Sequence, residues 1–360
     1  MLTLSNHLSN HIEEGSISTR KLASSLSRTL SKRSSCTPIS VSSSPSCVTT
    51  FSVARHRAEA QIEEGALAAR KAWLDLMPGQ DLRTHSAGPD GNFFALCWPY
   101  GKTERVKLAT EIIETLWLYD DLIEDVPHTE ALKTHASLRD SFGSAKDVEK
   151  PSRKTVIAGL FKKFGDRMSK LDPKGTPRVI EALKSYLANY DSQKGGELPN
   201  IAEYTEYRIL NVGFWIMESF MLWTMGITLD KAEQEMCHEF ALSAGRAMGL
   251  TNDLYSWNVE RNDRGERQWN AVPVIMESCH LSENDAIVFV KGLVIHHEQE
   301  TRRLGLELQK RSGNSHKIQK YIKATGFMLG GNCFWSSSCP RYNPAVNEKD
   351  CDSTSSSSSA

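Results

Sequence analysis

Three oxygen-bearing side chains recur at helical spacing in the stretch 252–260, namely Asn252, Ser256 and Glu260. Positions i, i+4 and i+8 fall within one broad stripe of an α-helix, so the three side chains would face the same side. A carboxamide, a hydroxyl and a carboxylate form an all-oxygen ligand set. Such a set suits Mg²⁺, which keeps several waters and usually bridges to substrate phosphates. The alternative interpretation is a solvated polar face on which the three residues stand by chance.

A second oxygen-rich cluster lies at the end of a predicted helix, 102–125. Asp120 and Glu124 are four residues apart and share a face, and so do Asp121 and Asp125. Like charges at this spacing repel each other, and acids at a helix C-terminus oppose the helix dipole. Because a bound cation would remove both conflicts, the cluster is a candidate metal site. The alternative is that its last two acids are solvated residues before a proline stop.

Two such faces opposite each other in a helical bundle could hold a magnesium cluster and a diphosphate between them. A bound diphosphate also needs direct donors, and an arginine fork or a tyrosine hydroxyl is suitable. Arg208 lies in a predicted helix, and Arg341 and Tyr342 follow one another near the C-terminus. For each arginine alone, a surface ion pair is the commoner explanation.

The elements that must position these residues are helices. No segment shows convincing strand alternation, a hairpin signal or an internal repeat. The sequence therefore predicts one all-α domain over 52–345. Apolar periodicity and Gly or Pro stops predict helices over 55–77, 102–125, 151–170, 177–190, 201–225, 230–260, 282–311 and 315–335.

The two ends of the chain differ in composition from this domain. Residues 1–51 are rich in Ser and Thr and nearly lack aromatic residues, so we expect them to be largely disordered. Residues 346–360 form a Ser-rich segment that we expect to be a disordered tail.

Charge, cysteine usage and hydropathy restrict the class of protein. A net charge of −1 offers no support for nucleic-acid binding or for an anionic membrane surface. The eight cysteines show no CxxC pair, which favours reduced thiols in an intracellular protein. No apolar run is long enough for a transmembrane helix. We expect a soluble cytoplasmic protein, either a monomer or a homodimer.

Taken together, these residues resemble the class I terpene synthases, most closely the fungal terpene cyclases and the cyclase domain of fungal bifunctional terpene synthases. The stretch 120–124 matches the aspartate-rich motif of that family. Asn252, Ser256 and Glu260 match the ligands of its second metal-binding motif. All the motifs occur in the family's order, over about residues 60–343.

Two further motifs extend the resemblance. Arg208 stands close to where the family carries its diphosphate-sensing arginine, and the residues after it match the region of the family's helix break. Arg341 and Tyr342 match the late pair that hydrogen-bonds the diphosphate, and the stretch 332–342 particularly resembles the fungal group. The residues assigned by this match to the helix break are Asn211, Val212 and Gly213.

One position departs from the pattern. Members of the family often have Lys or Arg just before the Glu of the second motif, where this chain has Val259. Arg261 and Arg264 are the candidates to replace that basic residue.

The resemblance implies a single-domain class I terpenoid synthase bundle around an apolar cavity. It also implies Mg²⁺-dependent ionisation of a linear isoprenyl diphosphate and cyclisation of the carbocation. Farnesyl diphosphate is the first expectation and geranylgeranyl diphosphate the second. Some fungal relatives carry a downstream prenyltransferase domain; this chain has no room for one after Tyr342, so we expect it not to make its own substrate.

A carbocation needs a dry wall that is not nucleophilic, and aromatic faces supply one through cation–π attraction. For any single ring, ordinary core packing is the better explanation, but we expect two or three to line the cavity. The candidates near the motifs are Phe93, Phe94, Trp98, Trp117, Phe214, Trp215 and Trp335.

Three other functions are open to such a sequence. An all-α prenyl transferase would carry two aspartate-rich motifs, which the Asn/Ser/Glu motif argues against. A non-catalytic helical scaffold would carry the acids as surface charge and would not bind diphosphate with Mg²⁺. A metal-dependent phosphohydrolase would need His/Asp ligand pairs, which are not evident.

Overall fold

The computed structural model describes residues 35–79, 82, 85–124, 126–141, 153–189, 200–261, 270–313 and 315–343. This part of the chain is almost entirely helical, so the all-α prediction is confirmed. The helices are α1 (Glu59–Leu76), α2 (Phe93–Cys97), α3 (Thr103–Glu124), α4 (His128–Ser141), α5 (Arg153–Leu171), α6 (Thr176–Asn189), α7 (Ile201–Asn211), α8 (Phe214–Met225), α9 (Lys231–Glu260), α10 (Ala271–Cys279), α11 (Glu283–Arg311) and α12 (His316–Ser336).

The predicted helix over 201–225 is two helices, so that prediction is wrong in its continuity. Asn200 caps α7 by accepting hydrogen bonds from the backbone N–H groups of Ala202 and Glu203. The break follows at Gly213, whose φ of 74° lies in the left-handed region that favours glycine. α8 then continues as an apolar, almost wholly buried helix and ends at Gly226, which also has a positive φ, 68°.

The helices that carry the motifs form the centre of the bundle. α9 packs against α7, α11 and α12, and α3 packs against α1 and α2. α1 and α3 approach closely at Gly65, where an added Cβ would lie 2.3 Å from the carbonyl oxygen of Lys107. All five residues of α2 are buried. This helix is too short for apolar periodicity to predict it. The core therefore places α2, α3, α9 and α12 next to one another.

The structure of the segment 35–51, here called the N-terminal strap, differs from two predictions: that the chain has no strands and that residues 1–51 are disordered. Cys36–Ile39 forms strand β1, which pairs antiparallel with strand β2, Val53–His56, although no strand was predicted. The strap also packs against the hydrophobic core. The prediction of disorder over 1–51 is therefore wrong for residues 35–51. Residues 1–34 and 346–360 lie outside the described residues.

Hydrogen bonds to buried partners hold the N-terminal strap, together with apolar contacts of Ile39, Val48 and Phe51 with the core. The Thr49 hydroxyl and the Thr50 backbone N–H donate to the buried carboxylate of Glu298 at 2.6 and 2.5 Å. The Ser44 and Ser337 hydroxyls lie 2.7 Å apart, and the Tyr255 hydroxyl donates to the Ser46 carbonyl. A Ser- and Thr-rich composition predicts disorder. The prediction failed here because composition does not show that these polar groups find buried hydrogen-bond partners elsewhere in the chain.

α4 and α10 are helices that periodicity did not predict. Asn270 starts α10, since its side-chain oxygen accepts from the Val272 N–H at 2.9 Å. No helix within the described ranges is long and apolar enough to cross a membrane.

Candidate functional site

Asn252 on α9 connects two of the other predicted site residues. Its side-chain N–H group donates to the Tyr342 hydroxyl at 2.6 Å, and its Oδ1 accepts from Nη2 of Arg208 at 2.5 Å. Arg208 comes from α7, and Tyr342 follows α12. Three motifs that are far apart in the sequence therefore meet through direct hydrogen bonds.

A buried ion pair fixes Arg208 in this position. Its Nε donates to Oδ1 of Asp253 at 2.9 Å, and the Tyr204 hydroxyl donates to Oδ2 of the same carboxylate at 2.7 Å. Burial raises the pKa of Asp253 to about 6, while Arg208 acts in the opposite direction. Burial acts to lower the pKa of Arg208, but Asp253 and its other neighbours outweigh that effect and the pKa is raised. The guanidinium is therefore charged and held by two helices.

Ser256 and Glu260 converge on a shared partner, Asn270. Nδ2 of Asn270 lies 2.9 Å from Oε2 of Glu260 and 3.5 Å from Oγ of the buried Ser256. It also donates to the backbone carbonyl of Asp253 at 3.0 Å. Because one donor reaches both side chains, their oxygens point to the same region. An all-oxygen set that converges in this way fits a hard divalent cation.

Sequence reasoning assigned no role to Tyr204, Asp253 or Asn270. Asp253 lies inside the second motif, and its lack of solvent exposure is what marks it as the partner of a charged group. The sequence did contain a signal for Asn270, because Asn directly before an apolar run is a typical N-cap and predicts a helix start at that residue. Tyr204 had no local signal.

The aspartate-rich end of α3 differs in its surroundings. Asp120 is half-buried and Asp121 is exposed, while the side chain of Glu124 and the whole of Asp125 lie outside the described residues. Oδ2 of Asp121 is 2.7 Å from Nε2 of His85, a buried residue in the loop before α2. The predicted opposition of Asp120 and Glu124 to the residues of α9 stays a prediction.

Five of the seven predicted cavity rings form one cluster beside the Arg341–Tyr342 pair. The ring centroids of Phe94 and Trp117 are 5.3 Å apart and stacked, and those of Phe93 and Trp335 are 4.9 Å apart. Trp98 joins the cluster through Phe94, at 5.2 Å.

Ring contacts also connect this cluster to the predicted diphosphate-binding residues. The Trp335 ring is 5.8 Å from that of Tyr342, and the Arg341 guanidinium carbon is 6.0 Å from the centroid of Trp117. Arg341 and Trp117 are both half-buried. A cation and a tyrosine therefore stand at the edge of an aromatic surface.

The two remaining rings, Phe214 and Trp215, lie at the start of α8. Phe214 is fully buried and packs close to Gly245 of α9, whose added Cβ would lie 3.1 Å from Cδ1 of the ring. Trp215 stacks on His238 with a centroid distance of 6.4 Å and an interplanar angle of 5°. Phe214 packs edge-on against Trp215 at 5.2 Å, apart from the five-ring cluster. The predicted place of both rings in a cavity wall stays a prediction.

The profile of a protein family described as "Terpene synthase family 2, C-terminal metal binding" matches residues 111–300. This chain belongs to that family. The matched range contains the aspartate-rich motif, Arg208 and the second motif, whereas Arg341 and Tyr342 follow it. The role of Asn252, Ser256 and Glu260 as metal ligands stays a prediction.

Curated relatives come from fungi. The chain is 27% identical over 327 residues to a sesterterpene synthase of Colletotrichum orbiculare, covering 86% of this chain and 45% of the relative. It is 27% identical over 305 residues to the variediene synthase of Emericella variicolor, covering 82% and 42%. The chain thus spans less than half the length of these curated relatives.

Solved structures of terpene synthases share the fold. Aristolochene synthase from Penicillium roqueforti superposes with a TM-score of 0.68 at 18% identity, covering 84% of this chain and all of that one. The 2-methylisoborneol synthase of Streptomyces coelicolor, in complex with Mg²⁺ and geranyl-S-thiolodiphosphate, gives a TM-score of 0.64 at 19% identity over 79% and 93%. At these identities the likeness establishes the class I terpene cyclase fold alone.

The terpene synthase motif departs from its usual form at Val259, which is half-buried. Of the two basic candidates to compensate, Arg261 is exposed and its guanidinium lies 3.6 Å from the carboxylate of Glu283 on α11. Arg264 lies outside the described residues. In this structure Arg208 and Arg341 are the described arginines that contact the other site residues.

Proposed function

We propose that this chain is a Mg²⁺-dependent class I terpene cyclase that ionises a linear isoprenyl diphosphate and cyclises the resulting carbocation. The observation that carries the proposal is the chain of hydrogen bonds from Arg208 through Asn252 to Tyr342. It joins a diphosphate donor, a metal-ligand candidate and a second diphosphate donor from three separate parts of the sequence. A scaffold with incidental surface charge has no need of this arrangement.

The residues that would hold Mg²⁺ are Asn252, Ser256 and Glu260, with Asp120 and Glu124 as the candidates from α3. Their fit rests on the donor chemistry and on the convergence of Ser256 and Glu260 toward one point. When bound, Mg²⁺ supplies positive charge that neutralises the diphosphate and improves it as a leaving group.

Three side chains bind and orient the diphosphate in this proposal. Arg208 is permanently charged and is held rigidly by Asp253, so little side-chain entropy is lost when it binds an anion. The hydroxyl of Tyr342 accepts a hydrogen bond from Nδ2 of Asn252, and Arg341 is the preceding residue in the chain. Preorganised donors of this kind stabilise charge that develops in the transition state.

The aromatic cluster provides the surface for the hydrocarbon part of the substrate. Phe93, Phe94 and Trp335 are buried, and Trp117 is half-buried next to Arg341. Ring faces stabilise an allylic carbocation by cation–π attraction and do not attack it as nucleophiles. A wall of this kind also excludes water until the rings of the product have formed.

The length of the substrate is the finer part of the proposal. Farnesyl diphosphate and geranylgeranyl diphosphate are the two candidates that the sequence motifs suggest. The named relatives at 27% identity include a sesterterpene synthase, which adds geranylfarnesyl diphosphate as a third candidate. All three share the diphosphate and the allylic carbon on which the proposed site acts.

The test is incubation of the purified chain with Mg²⁺ and each of the three diphosphates, followed by gas chromatography and mass spectrometry. We expect a cyclic hydrocarbon or alcohol from at least one substrate. The Asn252→Ala and Asp120→Ala variants should each lose about 100-fold or more of this product. Glu235→Ala, at an exposed position near the start of α9, is the matched control and should retain it.

Two results would count against the proposal. Absence of a cyclised product from all three diphosphates would refute it. Consumption of isopentenyl diphosphate together with a longer linear product would instead identify an elongating prenyl transferase.

A further inference from the structure

His85 joins the aspartate-rich end of α3 to the rest of the site. Its Nε2 lies 2.7 Å from Oδ2 of Asp121, and its backbone N–H donates to Oε1 of Glu114 at 2.8 Å. The next backbone N–H, of Ser86, donates to the other oxygen of Glu114 at 3.1 Å. Asp121 lies two turns after Glu114 on α3, so the loop is attached to that helix at two points.

The same loop is attached to α12 as well. The Trp335 indole N–H donates to the Ser86 carbonyl at 3.1 Å, and the His85 ring lies 6.1 Å from that of Trp117. Trp335 precedes Arg341 and Tyr342, and Trp117 precedes Asp120. The loop at 85–86 therefore fixes the spacing between the metal-ligand candidates of α3 and the diphosphate donors that follow α12.

Burial makes this attachment costly to break. His85 is 3% exposed and Glu114 is fully buried, whereas the Asp121 side chain is 46% exposed. The Nδ1 atom of His85 is buried and makes no hydrogen bond within the described residues, but it lies 3.7 Å from the Glu114 carboxylate. Burial lowers the pKa of His85, but the neighbouring carboxylates of Asp121 and Glu114 outweigh it, so the pKa is raised.

We propose that His85 is a positioning residue that holds the carboxylate of Asp121 and thereby fixes the metal-binding end of α3. This inference rests on the proposed cyclase function and adds a residue that no motif contains. His85 acts through Asp121 and does not touch the substrate. Its Nε2–H donates to the carboxylate in either charge state of the ring, so the role does not depend on titration.

The physical reason is the charge at the end of α3. Asp120, Asp121 and Glu124 repel one another and oppose the helix dipole, so the last turn of α3 is unstable before a cation binds. A donor from a buried ring stabilises the Asp121 carboxylate and holds it in a fixed direction. Residues that orient metal ligands in this way typically change metal affinity by about 10- to 100-fold when they are removed.

The experiment measures the Mg²⁺ concentration that gives half of the thermal stabilisation produced by saturating Mg²⁺ with fixed inorganic diphosphate. We expect His85→Ala and Asp121→Ala each to raise this concentration about tenfold. The double variant should be no worse than either single variant, because both remove the same interaction. His85→Gln restores a side-chain N–H donor and should recover most of the affinity, while His316→Ala, at an exposed histidine, is the control.

Asp121→Asn separates positioning from direct ligation. An asparagine keeps an oxygen that accepts from Nε2 of His85 but loses the negative charge. We expect a shift of about threefold or less, whereas a direct ligand would lose at least as much as in Asp121→Ala. A larger shift in Asp121→Asn, or additive effects in the double variant, would overturn the proposal.

Two further outcomes keep the two proposals distinguishable. Wild-type protein that shows no Mg²⁺-dependent stabilisation by diphosphate would overturn both the cyclase function and the role of His85. Normal stabilisation that His85→Ala and Asp121→Ala leave unchanged would overturn the role of His85 alone. If His85→Ala fails to fold, Asp121→Ala provides the test. The Asp121 side chain is 46% exposed, so its removal should leave the protein folded.

Discussion

The two metal-binding ends of the site are built differently. At the end of α9, Asp253 and Ser256 are 0% and 1% exposed, and Arg208 neutralises the buried carboxylate of Asp253. At the end of α3, several acids lie within one turn, and the Asp121 side chain is 46% exposed. The α9 half is therefore organised around a buried ion pair, whereas the α3 half concentrates acids within one turn and is more exposed at Asp121.

This difference indicates a division of tasks. A preorganised half loses little entropy when it binds and sets the geometry of the diphosphate. A half that concentrates like charges within one turn gains most from a cation, because the cation reduces the repulsion between them. We therefore expect metal binding to change α3 more than α9.

The largest expected effect is on stability, in Asp253→Ala. This substitution leaves the buried Arg208 guanidinium and the Tyr204 hydroxyl without their carboxylate partner. Breaking a buried ion pair in this way costs about 3–5 kcal/mol of unfolding free energy. Asp121→Ala leaves Nε2 of His85 without its acceptor and should cost less, about 1–3 kcal/mol. Urea denaturation of both variants checks the comparison, and equal losses would show that the two halves do not differ.

An intermediate effect is expected in amide hydrogen exchange. Addition of Mg²⁺ and diphosphate should slow exchange of amides 118–123 by about tenfold, since the last turn of α3 is the less stable region. The amides of 252–256 should change by less than about twofold, because Arg208, Tyr342 and Asn270 already hold that segment. Greater protection in α9 than in α3 would reverse the assignment of the rigid half.

The smallest effect is expected in Tyr342→Phe. The substitution removes the oxygen that lies 2.6 Å from Nδ2 of Asn252 and leaves the rest of the half-site in place. Loss of one such hydrogen bond costs about 1 kcal/mol of unfolding free energy, and urea denaturation measures it. A loss as large as that in Asp253→Ala would mean that Tyr342, rather than the ion pair, organises the α9 half.

Local patterns predicted most of the helices. Helices α3, α9, α11 and α12 were predicted to within a few residues, because long amphipathic segments with clear stops carry a strong periodic signal. The prediction failed for α2, which is too short and too apolar to show periodicity, and for the polar N-terminal strap. In the strap, the partner Glu298 lies 249 residues from Thr49 along the chain, and Ser337 lies 293 residues from Ser44.

The sequence by itself determined which side chains share a helix face, since the rise and turn of a helix fix the directions of residues four positions apart. It thereby determined the stripe of Asn252, Ser256 and Glu260. The tertiary structure alone decided that Arg208 pairs with Asp253 and that His85 holds Asp121. These contacts join different elements of the bundle, and their geometry follows from how α3, α7, α9 and α12 pack, which local spacing does not encode.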